Sequence, residues 1–245
     1  MVASESAAGR HEQLAGVIVP FDMALDSELW RWTPPGVSLL LTRTPYAPLP
    51  VTVEMAETVA DLEMVRQCAR DLCSVGPEVL AYGCTSGSFI NGVRGERRMV
   101  EVMRSVSGAD AVTTSGALLA ALAHLGITRV ATATPYDAEV TARLAGFLEE
   151  AGIGVVGSGH LGLHGEIWKV PDRTTMHLVR EADTPEAEAI VVSCTNLATY
   201  DIIGPLEDEL GKPVISANLA TMWATMRALG RAAVGDGRLL DAAAG

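Results

Sequence analysis

Two stretches of the sequence carry the same arrangement of reactive side chains. One is Glu78-Val79-Leu80-Ala81-Tyr82-Gly83-Cys84-Thr85-Ser86 and the other is Glu188-Ala189-Ile190-Val191-Val192-Ser193-Cys194-Thr195-Asn196. Each is an apolar run that ends in a small residue, then Cys-Thr, then a small or amide residue. A buried strand that stops at a cysteine before a tight turn sets the thiol at the carboxyl edge of a sheet, where open α/β sheets bind ligands. A strand–turn–helix corner also supplies backbone N–H groups that favour a thiolate, the reactive form of cysteine. Two thiols facing each other across a substrate divide the work. One takes a proton or attacks from one face, and the other delivers a proton to the opposite face. That is the chemistry of racemases and isomerases that use no cofactor. The other two cysteines, Cys68 and Cys73, fall within a helical pattern and read as small buried hydrophobes.

Other chemistries find little support. Gly157-Ser158-Gly159-His160-Leu161-Gly162 matches G-x-G-x-x-G, but the residues after it do not read as a dinucleotide-binding helix. His160 and His164 are four apart among glycines that oppose the helix a metal pair needs, so no metal is expected. The net charge of −12 argues against nucleic acid, whose binding proteins are basic. It also means that an anionic substrate must be held by local donors. No apolar run reaches the roughly 18 residues of a membrane span. With no signal peptide apparent and no disulfide framework, the expectation is a cytoplasmic protein with free thiols.

The elements that must position these thiols follow from the hydrophobic pattern. Hydrophobic residues make up 49 % and aromatics only 4 %, the balance of strands covered on both faces by helices. Strands are predicted at 15–20, 37–46, 79–84, 111–114, 129–134, 153–156, 189–194 and 214–217. Helices are predicted in a short piece within 21–32, and at 52–73, 96–106, 116–125, 138–151, 175–182, 201–210 and 219–231. Strand and helix alternate throughout, so the class is α/β with parallel sheets. The order Cys-Thr corner, strand, helix occurs twice. It predicts two pseudo-symmetric half-domains, each a roughly four-stranded parallel sheet flanked by helices, with the active site in the cleft between them. The division expected is a disordered tail at 1–13, a first half of 14–117 plus 219–245, and a second half of 118–218. The Ala/Gly-rich end from Gly235 is expected to fray.

The two Cys-Thr corners, with Thr134-Pro135-Tyr136-Asp137-Ala138-Glu139-Val140 between them, resemble the aspartate/glutamate racemase superfamily. Within it they are most similar to the branch of maleate cis-trans isomerase and arylmalonate decarboxylase. The resemblance runs from about Ala15 to Arg231. It implies that Cys84 attacks or deprotonates and that Cys194 protonates. Decarboxylases of the branch keep only the second cysteine, so the presence of both favours an isomerase or racemase, with an arylmalonate-type decarboxylase using Cys194 as the alternative. The resemblance also implies a small carboxylate substrate, no cofactor, and a carboxylate pocket formed by Thr85, Ser86, Tyr136, Thr195, Asn196 and Pro20. A homo-oligomer, dimer or tetramer, is compatible with it. The sequence departs from the branch after the first strand. There Pro20-Phe21-Asp22-Met23 lacks the asparagine expected of a maleate isomerase, and a second asparagine is missing near His164-Gly165-Glu166. Those amides help to bind a dicarboxylate, so maleate itself is not the expected substrate. Trp30, Trp32 and Trp168 suggest something bulkier or less polar.

Overall fold

A computed structural model describes residues 12–242. It contains two four-stranded sheets, all parallel. The first comprises β1 (Gln13–Val19), β2 (Val37–Arg43), β3 (Val79–Tyr82) and β4 (Asp110–Thr113), in the order β2-β1-β3-β4. The second comprises β5 (Arg129–Thr134), β6 (Gly154–His160), β7 (Ala189–Val192) and β8 (Val214–Ser216), in the equivalent order β6-β5-β7-β8. The central strands β3 and β7 are buried at every position, as expected of strands covered on both faces.

The strand order reverses direction between β1 and β3, and again between β5 and β7. A crevice opens at each such switch point beyond the carboxyl ends of the strands. Those ends carry Pro20 to Asp22 after β1, Gly83 and Cys84 after β3, Pro135 and Tyr136 after β5, and Ser193 and Cys194 after β7. Topology alone therefore brings both Cys-Thr corners to ligand-binding edges.

The helices are α1 (Asp26–Arg31), α2 (Val53–Val59), α3 (Leu62–Cys73), α4 (Thr85–Phe89), α5 (Gly92–Ser107), α6 (Thr114–His124), α7 (Ala138–Glu150), α8 (Asp172–Ala182), α9 (Ile203–Leu210), α10 (Ala217–Ala228) and α11 (Arg238–Asp241). A 3₁₀ turn spans Ile167–Lys169. Helix α10 packs along α6, against β3 and β4 of the first sheet, and against β8 of its own. Thr114 and Thr221 share a hydrogen bond of 2.8 Å at that seam.

Several elements differ from the sequence reading. The single helix over 52–73 is two. Helix α2 closes at Ala60, and Asp61 starts α3 by accepting the Met64 N–H at 2.8 Å. Hydrophobic spacing continues through the break, so periodicity could not reveal it. The residues after Cys84 form a helix, α4, and the helix expected from Glu96 begins at Gly92. Strand β6 runs on to His160, so Gly157 and Gly159 lie in a strand rather than in a phosphate-binding turn. A Cβ on Gly157 would come 2.3 Å from the Ala182 carbonyl oxygen, which makes this glycine a packing requirement where α8 meets β6. The segment expected to fray from Gly235 is held in place as far as 242, and residues 243–245 lie outside the described residues. Leu239 of α11 is fully buried, and the Arg238 N–H donates to Glu207 at 2.8 Å. Of the tail expected at 1–13, residues 1–11 lie outside the described residues, while Gln13 already belongs to β1, paired with Val37 of β2.

Candidate active site

The four switch-point loops meet around one narrow cavity with about 280 Å³ of atom-free space. Pro20, Asp22, Cys84, Thr85, Ser86, Tyr136, Cys194, Thr195 and Asn196 line it, with Val51, Met55 and Ile167. The structure thus brings together all eight residues named from the sequence. It brings none of the three tryptophans: Trp32 is buried against the Tyr200 ring at 4.3 Å, and Trp30 and Trp168 are partly exposed away from the cavity.

The two thiols sit in related surroundings. Cys84 is the N-cap of α4, and the Gly87 N–H is directed at its sulfur. Ser86 Oγ lies 3.8 Å from Sγ, and the Tyr82 hydroxyl approaches from β3. Cys194 is served by the Asn196 N–H and the Tyr136 hydroxyl, which in turn receives the Ser193 hydroxyl at 3.4 Å. Each thiol therefore has one backbone amide and one buried phenol. Burial outweighs these donors. It pushes the Cys84 thiol up to about 11 and the Cys194 thiol up to about 12, and a nearby Asp22 adds to both shifts. Burial thus favours the neutral thiol at both cysteines, while a backbone amide stands beside each for the thiolate.

Cys194 has φ = 97°, a conformation rare for residues other than glycine. Strain of this kind persists where the surroundings over-determine it, and it clusters at functional sites. Here the strand β7 and the Asn196 side chain pin the turn from both sides. Asn196 Oδ1 accepts the Ala24 N–H at 2.8 Å, and its Nδ2 donates to the Asp22 carbonyl at 2.9 Å. Both ends of this amide are spent on holding the loop after β1. Toward the Cys194 sulfur Asn196 offers its backbone N–H.

The Thr85 hydroxyl is different. It is buried and has no hydrogen-bond partner. Thr85 is the first residue of α4, lines the cavity and keeps its donor unused. An unsatisfied buried hydroxyl is costly and points to a ligand group that completes it. Thr195 lines the opposite wall, its carbonyl held by Asn218 Nδ2 at 3.0 Å.

Four lining residues were not read as site residues from the sequence. Asp22 stands two positions after the strand-closing Pro20, so the strand-edge argument that picked out the cysteines would have found it. Burial raises its carboxyl. Val51, Met55 and Ile167 form an apolar roof and carried no local signal. Val51 and Met55 belong to the first half and Ile167 to the second. The roof is clasped by the Val51 N–H, which donates to the His164 carbonyl at 2.8 Å.

The family model for arylmalonate decarboxylase matches residues 51–240. The chain belongs to the arylmalonate decarboxylase family. It is 36 % identical to the arylmalonate decarboxylase of Bordetella bronchiseptica over 189 residues, 74 % of this chain and 79 % of that one. It is 30 % identical to the maleate isomerase of Nocardia farcinica over 185 residues, 71 % of this chain and 73 % of that one. A crystal structure of a mutant arylmalonate decarboxylase in its liganded form superposes with a TM-score of 0.87 at 32 % identity, covering 94 % of this chain and 99 % of that chain. The family thus spans the decarboxylase and isomerase branch of the aspartate/glutamate racemase superfamily named from the Cys-Thr corners, and its characterised relatives are enzymes. Among the described residues no helix is long and apolar enough to cross a membrane.

Proposed function

We propose that the protein is a cofactor-independent two-cysteine racemase or isomerase acting at the carbon next to a carboxylate. The observation that carries this reading is that Cys84 and Cys194, one from each half, line the same cavity with matched donors. In the forward step Cys84 first gives its proton to solvent, then as the thiolate takes the α-proton while the C–H electron pair moves into an enediolate. The hydroxyl of Thr85 and neighbouring donors hold the growing charge on the carboxylate oxygens. The Cys194 S–H then delivers its proton to the opposite face of the same carbon, leaving Cys84 as the thiol and Cys194 as the thiolate. Tyr136 and the Asn196 N–H face that sulfur as its charge appears.

The substrate favoured is a small monocarboxylate with an apolar substituent. Val51, Met55 and Ile167 suit an apolar group, while Asp22 would repel a second carboxylate whenever it is ionised. Maleate, a dicarboxylate, fits this lining poorly.

A second reading is decarboxylation of an arylmalonate, with Cys194 protonating the enediolate after carbon dioxide leaves. The 36 % identity to the Bordetella bronchiseptica enzyme favours it. One experiment separates the two. A single enantiomer of 2-phenylpropionate is incubated with the protein in D₂O, and loss of chirality and α-deuterium are followed. In parallel, carbon dioxide release is measured from phenylmalonate. The racemase reading expects deuterium exchange that is lost in both Cys84→Ser and Cys194→Ser. Carbon dioxide release that survives Cys84→Ser, without racemisation by the parent protein, selects the decarboxylase.

A further inference from the structure

Tyr82 closes β3 two residues before Cys84, and its side chain is fully buried. Its hydroxyl donates to the carbonyl of Val59 at 2.6 Å. Val59 ends α2, so this carbonyl is one of those a helix leaves without an internal partner. One turn earlier the same helix presents Met55 to the cavity roof. The hydroxyl also presses against Gly87. A Cβ on Gly87 would come 2.3 Å from the Tyr82 oxygen and 3.0 Å from Val59 Cγ2, so only glycine leaves the notch that admits the phenol. Gly87 is the residue whose N–H faces the Cys84 sulfur.

A phenol has one proton to give. While that proton points at Val59, it is not available to a Cys84 thiolate. To support the thiolate it must turn its proton from Val59 to sulfur. Building on the reading of Cys84 as a reactive thiol, we propose that Tyr82 is a positioning residue for Cys84. Its hydroxyl, lodged in the Gly87 notch against the helix that Cys84 caps and bonded to Val59, couples the seat of roof helix α2 to whether Cys84 keeps its proton. Tyr136 is the counterpart at Cys194, but its second partner is the Ser193 hydroxyl rather than a helix carbonyl. The coupling to the roof therefore belongs to one thiol.

The test follows alkylation of each cysteine by iodoacetamide across pH, resolved by peptide mass spectrometry. In Tyr82→Phe the Cys84 profile is expected to move up by about one pH unit, so that its rate at a fixed lower pH falls about tenfold, while the Cys194 profile stays in place. Gly87→Ala keeps the phenol but evicts it from the notch and is expected to produce the same selective shift, which covers the case of a poorly folded Tyr82→Phe. An unmoved Cys84 profile in a folded variant, a shift to lower pH, or an equal shift of both cysteines would overturn the proposal. Alkylation reads the thiol and not turnover. If Cys84→Ser kept full activity while Tyr82→Phe still moved the Cys84 profile, the proposed function would fail and the coupling would stand.

Discussion

At the scale of single residues, the unusual features gather around the two thiols, and each has a measurable cost. Cys194 holds φ = 97° with a side chain attached. Cys194→Gly is expected to unfold at higher denaturant than Cys194→Ala by about 1 kcal/mol, because only glycine relieves the strain. The unpartnered Thr85 hydroxyl makes the opposite kind of prediction. Thr85→Val should leave the ligand-free protein within about 0.5 kcal/mol of the parent, since no hydrogen bond is lost, while kcat/KM falls roughly ten- to a hundredfold. Urea titration and steady-state kinetics on one preparation check both halves. The thiols also set a pH dependence. Each is a weaker acid folded than unfolded, with Cys84 pushed up to about 11 and Cys194 to about 12 from an ordinary value near 9. As pH rises past about 9 the unfolded chain sheds these protons first while the folded chain keeps them. Stability should therefore be indifferent to them below pH 8 and decline as pH climbs through 9 to 11. A Cys84→Ser, Cys194→Ser double variant should show a shallower decline in the same denaturation series.

At the scale of elements, the site is held by polar side chains that reach between the halves. Glu28 of α1 is buried and accepts from the Thr199 hydroxyl at 2.7 Å, the Thr199 N–H at 3.0 Å and Asn218 Nδ2 at 3.1 Å. It ties a helix of the first half to the segment after β7 and to α10. Glu28→Ala would strand these donors in the interior and is expected to cost about 3 kcal/mol, with Glu28→Gln milder, as thermal denaturation would report. Much of this layer was legible in advance. The strands show as short apolar runs, and α7 starts at a capping Asp137 that accepts the Val140 N–H at 2.9 Å. The Cys-Thr corners stand out because they recur in register with the strand and helix after them. What escaped was set by competition that leaves no periodic trace. Asp61 breaks a continuous apolar stripe, and five small and aromatic residues after Cys84 wind into α4 because buried Ser88 bonds back to the Cys84 and Thr85 carbonyls. The roof was invisible for another reason. Val51, Met55 and Ile167 meet only when loops more than a hundred residues apart in sequence fold over the same cavity.

At the scale of the whole molecule, two equivalent sheets each supply one thiol, and the cavity exists only where they face each other. The clasp between Val51 and His164 is a single backbone hydrogen bond across the entrance, outside any sheet. Its amide is expected to exchange with solvent orders of magnitude faster than those of β1 and β3, and to be slowed by a bound carboxylate. Hydrogen exchange followed by NMR, with and without 2-phenylpropionate, checks this. The enclosed pair of thiols has a further consequence for turnover under the proposed chemistry. Each stereoinversion ends with Cys84 protonated and Cys194 as the thiolate, so the protein that releases product carries its charge on the other sulfur from the one that began the step. It is primed for the reverse direction. To repeat the same direction Cys194 must first regain a proton from water and Cys84 must give one up. Such an enzyme carries a memory of its last turnover, and at high substrate concentration the resetting of the empty protein, rather than the chemistry, becomes the step that limits net conversion.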